Sequence, residues 1–266
     1  MTSEPRRVTI PDFATWKAEG RKIKGLTAYD YPTARIMDEA GVDFLLVGDS
    51  LGTVVQGWDN TLRVTLDQMV YHTEMVARAS KHALVVGDLP FLSYHVSRRQ
   101  AIKSAGRMIK ETNCQSVKLE GGRRKAETIR ALVEAEIPVM GHIGLTPQSV
   151  KRLGGYKVQR DAEELMADAV AVAEAGAFAI VLECIPASVA ARITERISIP
   201  TIGIGAGSAC DGQILVIHDM VGLFDAFRPK FARRYAELGT ALRDAVIQYV
   251  KDVDSGEFPN EKESFR

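Results

Sequence analysis

The chain has 266 residues, of which 46% are hydrophobic and 26% are charged, and these ordinary globular values argue against disorder of the whole chain. Its 34 Lys and Arg residues balance its 34 Asp and Glu residues, so the formal net charge is zero. That balance excludes a basic nucleic-acid-binding protein and a polybasic membrane-surface protein as the first interpretation. The length suits one α/β barrel of about 250 residues, or two smaller domains.

The three cysteines, Cys114, Cys184 and Cys210, are far apart and form no CxxC motif. A disulfide framework or a structural zinc site is therefore not expected. The first ten residues lack the apolar segment of a secretory signal, and no apolar run approaches the roughly 18 residues of a membrane helix. We expect a soluble, cytoplasmic protein that binds neither nucleic acid nor membranes.

Short apolar runs predict eight strands. Most are near-continuous in Val, Ile and Leu, which is typical of strands buried on both faces of a parallel sheet. In chain order the runs are Ile23–Ala28, Asp43–Gly48, Ala83–Gly87, Ser116–Leu119, Pro138–Gly141, Phe178–Leu182, Pro200–Ile204 and Gln213–Ile217.

Helical patterns lie between these runs. Asp30 is a candidate N-cap with Pro32 in the first turn, and Asp161–Ala175 is rich in Ala, Glu and Leu and is followed by glycine. Repeated strand–helix units predict an α/β fold, a (β/α)8 TIM barrel forming a single domain over residues 1–266 with its core at about 22–230. Outside the repeat, Ile10–Gly20 predicts a short helix that closes the barrel bottom, and Phe231–Lys251 predicts a long C-terminal helix before a polar tail.

Four predicted strands end in a carboxylate, and barrels of this kind build their active sites at the carboxyl ends of the strands. Carboxylates that end buried strands are costly unless they are paired or bind a metal, and oxygen ligands suit Mg²⁺. Zinc would require more His and Cys, and no HExxH motif occurs. The alternative is that these acids are helix N-caps or loop anchors. They are Asp49, Asp88, Glu120 and Glu183.

Three further features accompany these acids. Lys118 lies two residues before Glu120, hence on the same side of its strand, and is a candidate to bind a substrate carboxylate. A structural Lys–Glu pair or a Schiff-base lysine are the alternatives. Glu183 precedes an apolar segment, a setting that suits a general base working near neutral pH. His142 is open to three interpretations: an acid, a hydrogen-bond donor to a carboxylate, or a core residue.

Two loops also stand out. Gly203–Gly207 is similar to a phosphate-binding turn, although its glycines would equally give the chain room to pass close to a ligand. Leu51–Thr65 is long for a loop between a strand and a helix, so it is a candidate lid over the site.

Motifs carried in series resemble the 3-methyl-2-oxobutanoate hydroxymethyltransferase family, also called the ketopantoate hydroxymethyltransferases. The resemblance runs from about Thr9 to the C-terminal tail, in order and with matching spacing. The motifs are LLVGDSLG, GDLPF, VKLEGG, GHIGLTPQS, GGYKVQ, LEC, and GIGAG followed by CDGQ.

The resemblance implies a Mg²⁺-dependent barrel of the pantothenate pathway, which transfers a one-carbon unit from 5,10-methylenetetrahydrofolate to 3-methyl-2-oxobutanoate. It also implies a homodecamer. Carried onto this sequence, it implies metal ligands at Asp49, Asp88 and Glu120, keto-acid contacts at Ser50, Lys118, Asp49 and Asp88, and the proton acceptor at Glu183. No motif identifies the residues that contact the folate.

Three other functions remain open. One is a Mg²⁺-dependent barrel that makes or breaks carbon–carbon bonds of a 2-oxo acid without folate, like the isocitrate lyase and phosphoenolpyruvate mutase group. Another is a phosphosugar-handling barrel built on Gly203–Gly207. The third is a non-catalytic barrel that serves as an assembly subunit.

Overall fold

The computed structural model describes residues 6–224 and 228–265. The chain divides into two compact units, Met1–Val216 and Ile217–Arg266, and the first unit contains the sheet. The single domain over residues 1–266 stays a prediction. In the described part of the chain, no helix combines the length and the apolar character needed to cross a bilayer.

The sheet is a closed barrel of parallel strands in sequential order, with the last strand paired to the first. This confirms the predicted (β/α)8 fold, and each predicted apolar run overlaps one strand. The strands are β1 (Ile23–Thr27), β2 (Phe44–Val47), β3 (Leu84–Asp88), β4 (Ser116–Lys118), β5 (Val139–Gly144), β6 (Ala179–Glu183), β7 (Thr201–Ile204) and β8 (Gly212–Leu215).

One α-helix precedes β1, and at least one follows every strand except β7, which connects to β8 without a helix. In chain order the α-helices are α1 (Ile10–Glu19), α2 (Tyr31–Glu39), α3 (Leu51–Val54), α4 (Leu66–Ala79), α5 (Arg98–Thr112), α6 (Ala126–Glu134), α7 (Val150–Leu153), α8 (Ala162–Glu174), α9 (Ala187–Arg196), α10 (Ile217–Met220) and α11 (Leu238–Ser255).

Two predicted helix starts are confirmed by their capping bonds. The Asp30 side chain accepts a hydrogen bond from the Thr33 amide at 2.9 Å, and Asp161 accepts from the first amides of α8. These carboxylates satisfy amide groups that have no partner within the helix, and their charge opposes the positive helix end.

The predicted start of the C-terminal helix at Phe231 is wrong, because α11 begins at Leu238. The residues just before it are held outside a helix. The Tyr235 amide donates to the Met220 carbonyl at 2.8 Å, and the Arg234 side chain pairs with Glu237 at 3.0 Å. The backbone bond joins Tyr235 to α10, a contact between residues distant in sequence that the residue pattern does not reveal.

The predicted closure of the barrel bottom by the first helix is confirmed. Phe13 of α1 is fully buried, and its ring centroid lies 5.8 Å from that of Phe44 and 5.3 Å from that of Phe178. Both partner rings lie at the amino ends of strands. Gly25 makes room for this packing, because a Cβ atom there would lie 2.2 Å from the Phe44 ring.

The inward-facing positions of several strands change from apolar to charged toward the carboxyl end. Because side chains alternate along a strand, residues two apart face the same side. The lower of these positions belong to the apolar core, so the charged groups lie directly above a dry barrel interior. The pairs are Val86 and Asp88, Met140 and His142, and Val181 and Glu183.

Candidate active site

A buried ion pair lies at the centre of the barrel mouth. Asp88 ends β3 and Lys118 ends β4, and the strand register sets them side by side. The Lys118 Nζ lies 2.9 Å from Asp88 Oδ1, and the two side chains are 5% and 1% exposed. Burial acts to lower the pKa of Lys118, but Asp88, Glu120 and Asp49 raise it above its ordinary value. The amine is therefore an ammonium ion, which argues against a Schiff-base lysine.

His142 on β5 connects two of the acids. Its Nε2 lies 3.1 Å from Glu183 Oε2, and its Nδ1 lies 3.6 Å from Glu120 Oε1. Burial and the nearby Lys118 act to lower the pKa of His142, but the adjacent Glu120 and Glu183 carboxylates raise it to about 9. The ring is thus an imidazolium at neutral pH. Of the three interpretations left open by the sequence, these two ion-pair distances favour a ring that faces carboxylates as a proton donor.

Asp49 follows β2 and is nearly inaccessible to solvent. Its amide donates to Asp88 Oδ2 at 3.1 Å, which brings the ends of β2 and β3 together. Burial, followed by the negative charges of Asp88 and Glu120, raises the pKa of Asp49 well above its ordinary value. The carboxylate at this position therefore needs a cation, or else it binds a proton.

Two buried residues that were not predicted from the sequence, Gln148 and Tyr94, hold the acids in place. The side-chain Nε2 of Gln148 donates to Asp49 Oδ2 at 2.9 Å, and its backbone N–H donates to Glu120 Oε2 at 3.0 Å. The Tyr94 hydroxyl donates to Gln148 Oε1 at 2.7 Å and accepts from the Glu120 amide at 3.1 Å. Membership of the GHIGLTPQS motif is the only sequence feature that points to Gln148. Tyr94 lies in a loop, and no sequence feature points to it.

Ser50 stands beside Asp49 where α3 begins, and its Oγ lies 2.8 Å from the Tyr29 hydroxyl. The structure therefore brings Ser50 to the barrel mouth. The segment Leu51–Thr65 contains α3 and a 3-10 turn at Thr61–Arg63, and Leu62 lines the large cavity described below. Its role as a lid stays a prediction.

The glycines of Gly203–Gly207 have a conformational explanation. Gly205 and Gly207 have φ angles of 65° and 84°, and a Cβ atom at Gly207 would lie 2.6 Å from the Ala187 Cβ. Only glycine adopts such angles freely. This segment is not among the residues that line the large cavity. Of the two interpretations of these glycines, the structure thus favours a backbone that requires glycine to pass close to its neighbours over a phosphate-binding turn.

The six charged side chains carry an excess of negative charge. When ionised, the carboxylates of Asp49, Asp88, Glu120 and Glu183 outnumber the cations Lys118 and His142 by two. Glu120 Oε1 is buried and, in the described part of the chain, has no hydrogen-bond partner. A divalent ion bound through carboxylate oxygens would satisfy both features.

The described residues contain no set of three His, Cys, Asp or Glu side chains already arranged around a metal position. The three acids predicted as metal ligands are therefore not already arranged around one ion. Mg²⁺ is commonly bound by one or two carboxylates together with water and substrate oxygens.

Next to these charged side chains lies a cavity of about 890 Å³. Glu120 and Gln148 line its inner end, and the loops after β3, β4 and β5 form most of its walls. The cavity lies at the carboxyl ends of the strands, where barrels of this kind bind their substrates.

The family model described as ketopantoate hydroxymethyltransferase matches residues 7–261. A curated protein of Pelobacter propionicus named 3-methyl-2-oxobutanoate hydroxymethyltransferase is 57% identical, over 100% of both chains. A protein of the same name from Geobacter sulfurreducens is also 57% identical, over 98% of this chain and 99% of its own.

Solved structures share the fold at low identity. A 2,3-dimethylmalate lyase of the PEP mutase/isocitrate lyase superfamily has a TM-score of 0.60 at 18% identity, covering 96% of this chain and 91% of that one. A phosphonopyruvate hydrolase has a TM-score of 0.62 at 11% identity, covering 96% and 92%. The full-length sequence match decides the family: the chain belongs to the ketopantoate hydroxymethyltransferases and is a transferase enzyme.

Proposed function

We propose that the protein transfers a hydroxymethyl group from 5,10-methylenetetrahydrofolate to 3-methyl-2-oxobutanoate, giving 2-dehydropantoate. The observation that carries the proposal is the set of buried ionic contacts at the barrel mouth, in which His142 joins Glu183 to Glu120 and Lys118 joins Asp88. The names of full-length relatives support the keto acid as the substrate.

Lys118 binds the carboxylate of the keto acid in this proposal. Its ammonium group is buried, carries a firmly held proton, and lies at the mouth of the barrel. Ser50, beside Asp49, offers a hydroxyl group to the same substrate. Such charge-assisted hydrogen bonds are stronger than neutral ones, and they orient the substrate.

Asp49, Asp88 and Glu120 would hold Mg²⁺, which, when bound, polarises the ketone and so makes the neighbouring C–H bond more acidic. The chain's own residues prepare this position. Gln148 restricts the motion of Asp49 and Glu120, because it donates a hydrogen bond to one oxygen of each carboxylate.

Glu183 is the base that removes the proton from C3 of the keto acid. The His142 imidazolium forms an ion pair with Glu183 Oε2 at 3.1 Å, so Oε1 is left to accept that proton. The electron pair released at C3 forms a bond to the methylene carbon of the folate. Water supplies the hydroxyl group, the carbon–nitrogen bonds of the methylene bridge break, and tetrahydrofolate leaves with the protons its nitrogens require.

The reaction is tested by mass spectrometry of the products. Protein, Mg²⁺, 3-methyl-2-oxobutanoate and 5,10-methylenetetrahydrofolate should yield 2-dehydropantoate, and omission of the folate should abolish the product. Conversion of a 2-oxo acid without folate would instead support a lyase or mutase of the isocitrate lyase type. No product with the complete mixture would overturn the proposal.

We also propose a cytoplasmic homodecamer. All three cysteines are free thiols, which supports a reducing compartment. The exposed Leu242, Val246 and Val253 of α11 recur at helical spacing, which supports a contact with another copy of the chain. Light scattering tests the assembly, and a monomeric mass at micromolar concentration would contradict it.

A further inference from the structure

The large cavity exceeds the needs of a small branched keto acid. It holds about 890 Å³ and extends from Glu120 at its inner end to the exposed rim formed by Lys151 and Arg152. Pockets for ligands of drug size commonly enclose about 300–1,000 Å³. The space therefore suits a second, larger molecule that reaches from the charged site to the rim.

Basic residues line the outer part of this cavity. Arg124 and Lys125 come from the turn after β4, and Lys151 and Arg152 come from α7 after β5. None of the four forms an ion pair with another described residue. Arg123 differs from them, because its Nε pairs with Asp168 at 3.2 Å.

Carboxylates also line the cavity, but most of them are already engaged. Asp168 pairs with Arg123, and Asp161 accepts hydrogen bonds from the first amides of α8. Glu120 belongs to the buried charged site. Glu164 is the remaining acid and is exposed to solvent. The outer part of the cavity thus offers cations to an anionic ligand.

An aromatic wall lies between the charged site and these cations. The His95 ring lies 4.1 Å from the Tyr94 ring and 5.2 Å from the Phe91 ring, measured between centroids. Lys125 Nζ lies 5.3 Å from the centroid of Tyr94. Burial, together with the nearby Lys125, lowers the pKa of His95 to about 4, so its ring is neutral at pH 7 and able to stack on a flat ligand.

We propose that this cavity binds the arm of the folate co-substrate, with the aryl group against Phe91 and His95, which are partly exposed, and the glutamyl carboxylates at Arg124, Lys151 and Arg152. This assignment rests on the proposed function. The orientation of the folate follows from how deeply the lining residues are buried. Glu120 is buried, Lys125 is half-buried, and the other three cations are exposed. A folate carries its reactive methylene at one end and its carboxylates at the other. The methylene would therefore lie near Glu120, and the carboxylates would lie at the exposed cations.

The test compares folates that carry one or several glutamates. Wild-type protein should show a lower KM for 5,10-methylenetetrahydrofolate with five glutamates than with one. The triple variant Arg124→Gln, Lys151→Gln, Arg152→Gln should lose this preference, because exposed charge pairs each contribute about two- to fivefold. The preference should also weaken as salt is added. Thermal melting checks that the variant is folded.

Lys110→Gln is the matched control. Lys110 is an exposed lysine in the last turn of α5, and it does not line the cavity. This variant should keep the wild-type preference for long glutamyl tails. Inorganic tripolyphosphate serves as a general anion. Inhibition that competes with the folate and disappears in the triple variant supports the same subsite.

Two outcomes overturn the assignment. A triple variant that keeps the full preference for five glutamates would show that the tail binds elsewhere. An equal rise in KM for both folates would show that the cations contact a part of the folate other than its glutamyl tail. Failure of the proposed function differs from either, because wild-type protein would then turn over no folate at all, and the subsite would be withdrawn with it.

Discussion

His142 Nε2 and Glu183 Oε2 lie 3.1 Å apart on neighbouring strands of the barrel. The contact sets a protonated imidazole against the carboxylate proposed as the base. An imidazolium in this position holds one carboxylate oxygen of Glu183 by charge, which leaves the other oxygen to take a proton from the substrate. His142 is thus a positioning residue for the base.

The titration of His142 tests this relationship. Its folded pKa of about 9 lies above the ordinary value of 6.5, so the protonated ring stabilises the fold below pH 6.5. That stability should be lost as the pH rises from 6.5 through 9. Urea unfolding in chelator-containing buffer should show this decline, and His142→Gln should flatten it. An NMR titration of His142 with a midpoint below 6.5 would contradict the account.

Asp88→Asn should weaken Mg²⁺ binding by at least about tenfold, because it removes one carboxylate from the site. Titration calorimetry measures the change. Asp67→Asn is the control, since Asp67 is an exposed aspartate whose side chain is 80% accessible and pairs with Arg107. Equal affinity in Asp88→Asn and wild-type protein would remove Asp88 from the metal site.

Lys118→Met should weaken binding of the keto acid without weakening binding of Mg²⁺. Loss of a charge-assisted hydrogen bond should raise the Kd of 3-methyl-2-oxobutanoate by about 10- to 100-fold. Mg²⁺ should bind equally well or more tightly, because a cation beside Asp88 has been removed. Calorimetry with each ligand gives both values. A larger loss for Mg²⁺ than for the keto acid would contradict the assignment of Lys118.

Cys184 should be a slow nucleophile, although it is only partly buried. Burial and the adjacent Glu183 raise the pKa of its thiol to about 12. At pH 8, iodoacetamide should therefore react with it roughly 10³-fold more slowly than with a free thiol. Peptide mass spectrometry follows the reaction, and Glu183→Gln should speed it. Labelling at the rate of free cysteine would contradict the raised pKa of the Cys184 thiol.

The positions of the charged residues were largely predictable from the sequence. Lys118 and Glu120 were expected on one side of β4 because they are two residues apart, and Lys118 does lie among the acids. Asp88 and Glu183 were expected at the barrel mouth because each follows a buried apolar run. Strand alternation and the barrel rule are sufficient for these inferences.

The contacts supplied by loops were not predictable. Gln148 reaches both Asp49 and Glu120 only because the turn after β5 folds back over the mouth. Tyr94 completes the network from the loop after β3. Loop conformations depend on long-range contacts that no periodic pattern records, and the late start of α11 at Leu238 has the same origin.

Proton exchange at C3 of 3-methyl-2-oxobutanoate tests the central claim most directly. In D₂O, proton NMR should show the C3 signal disappear with protein and Mg²⁺, and persist when a chelator is added. Glu183→Gln should slow the exchange by about 10²- to 10⁴-fold while calorimetry still detects keto-acid binding. Exchange at the wild-type rate in Glu183→Gln, or exchange that is indifferent to the chelator, would contradict the account.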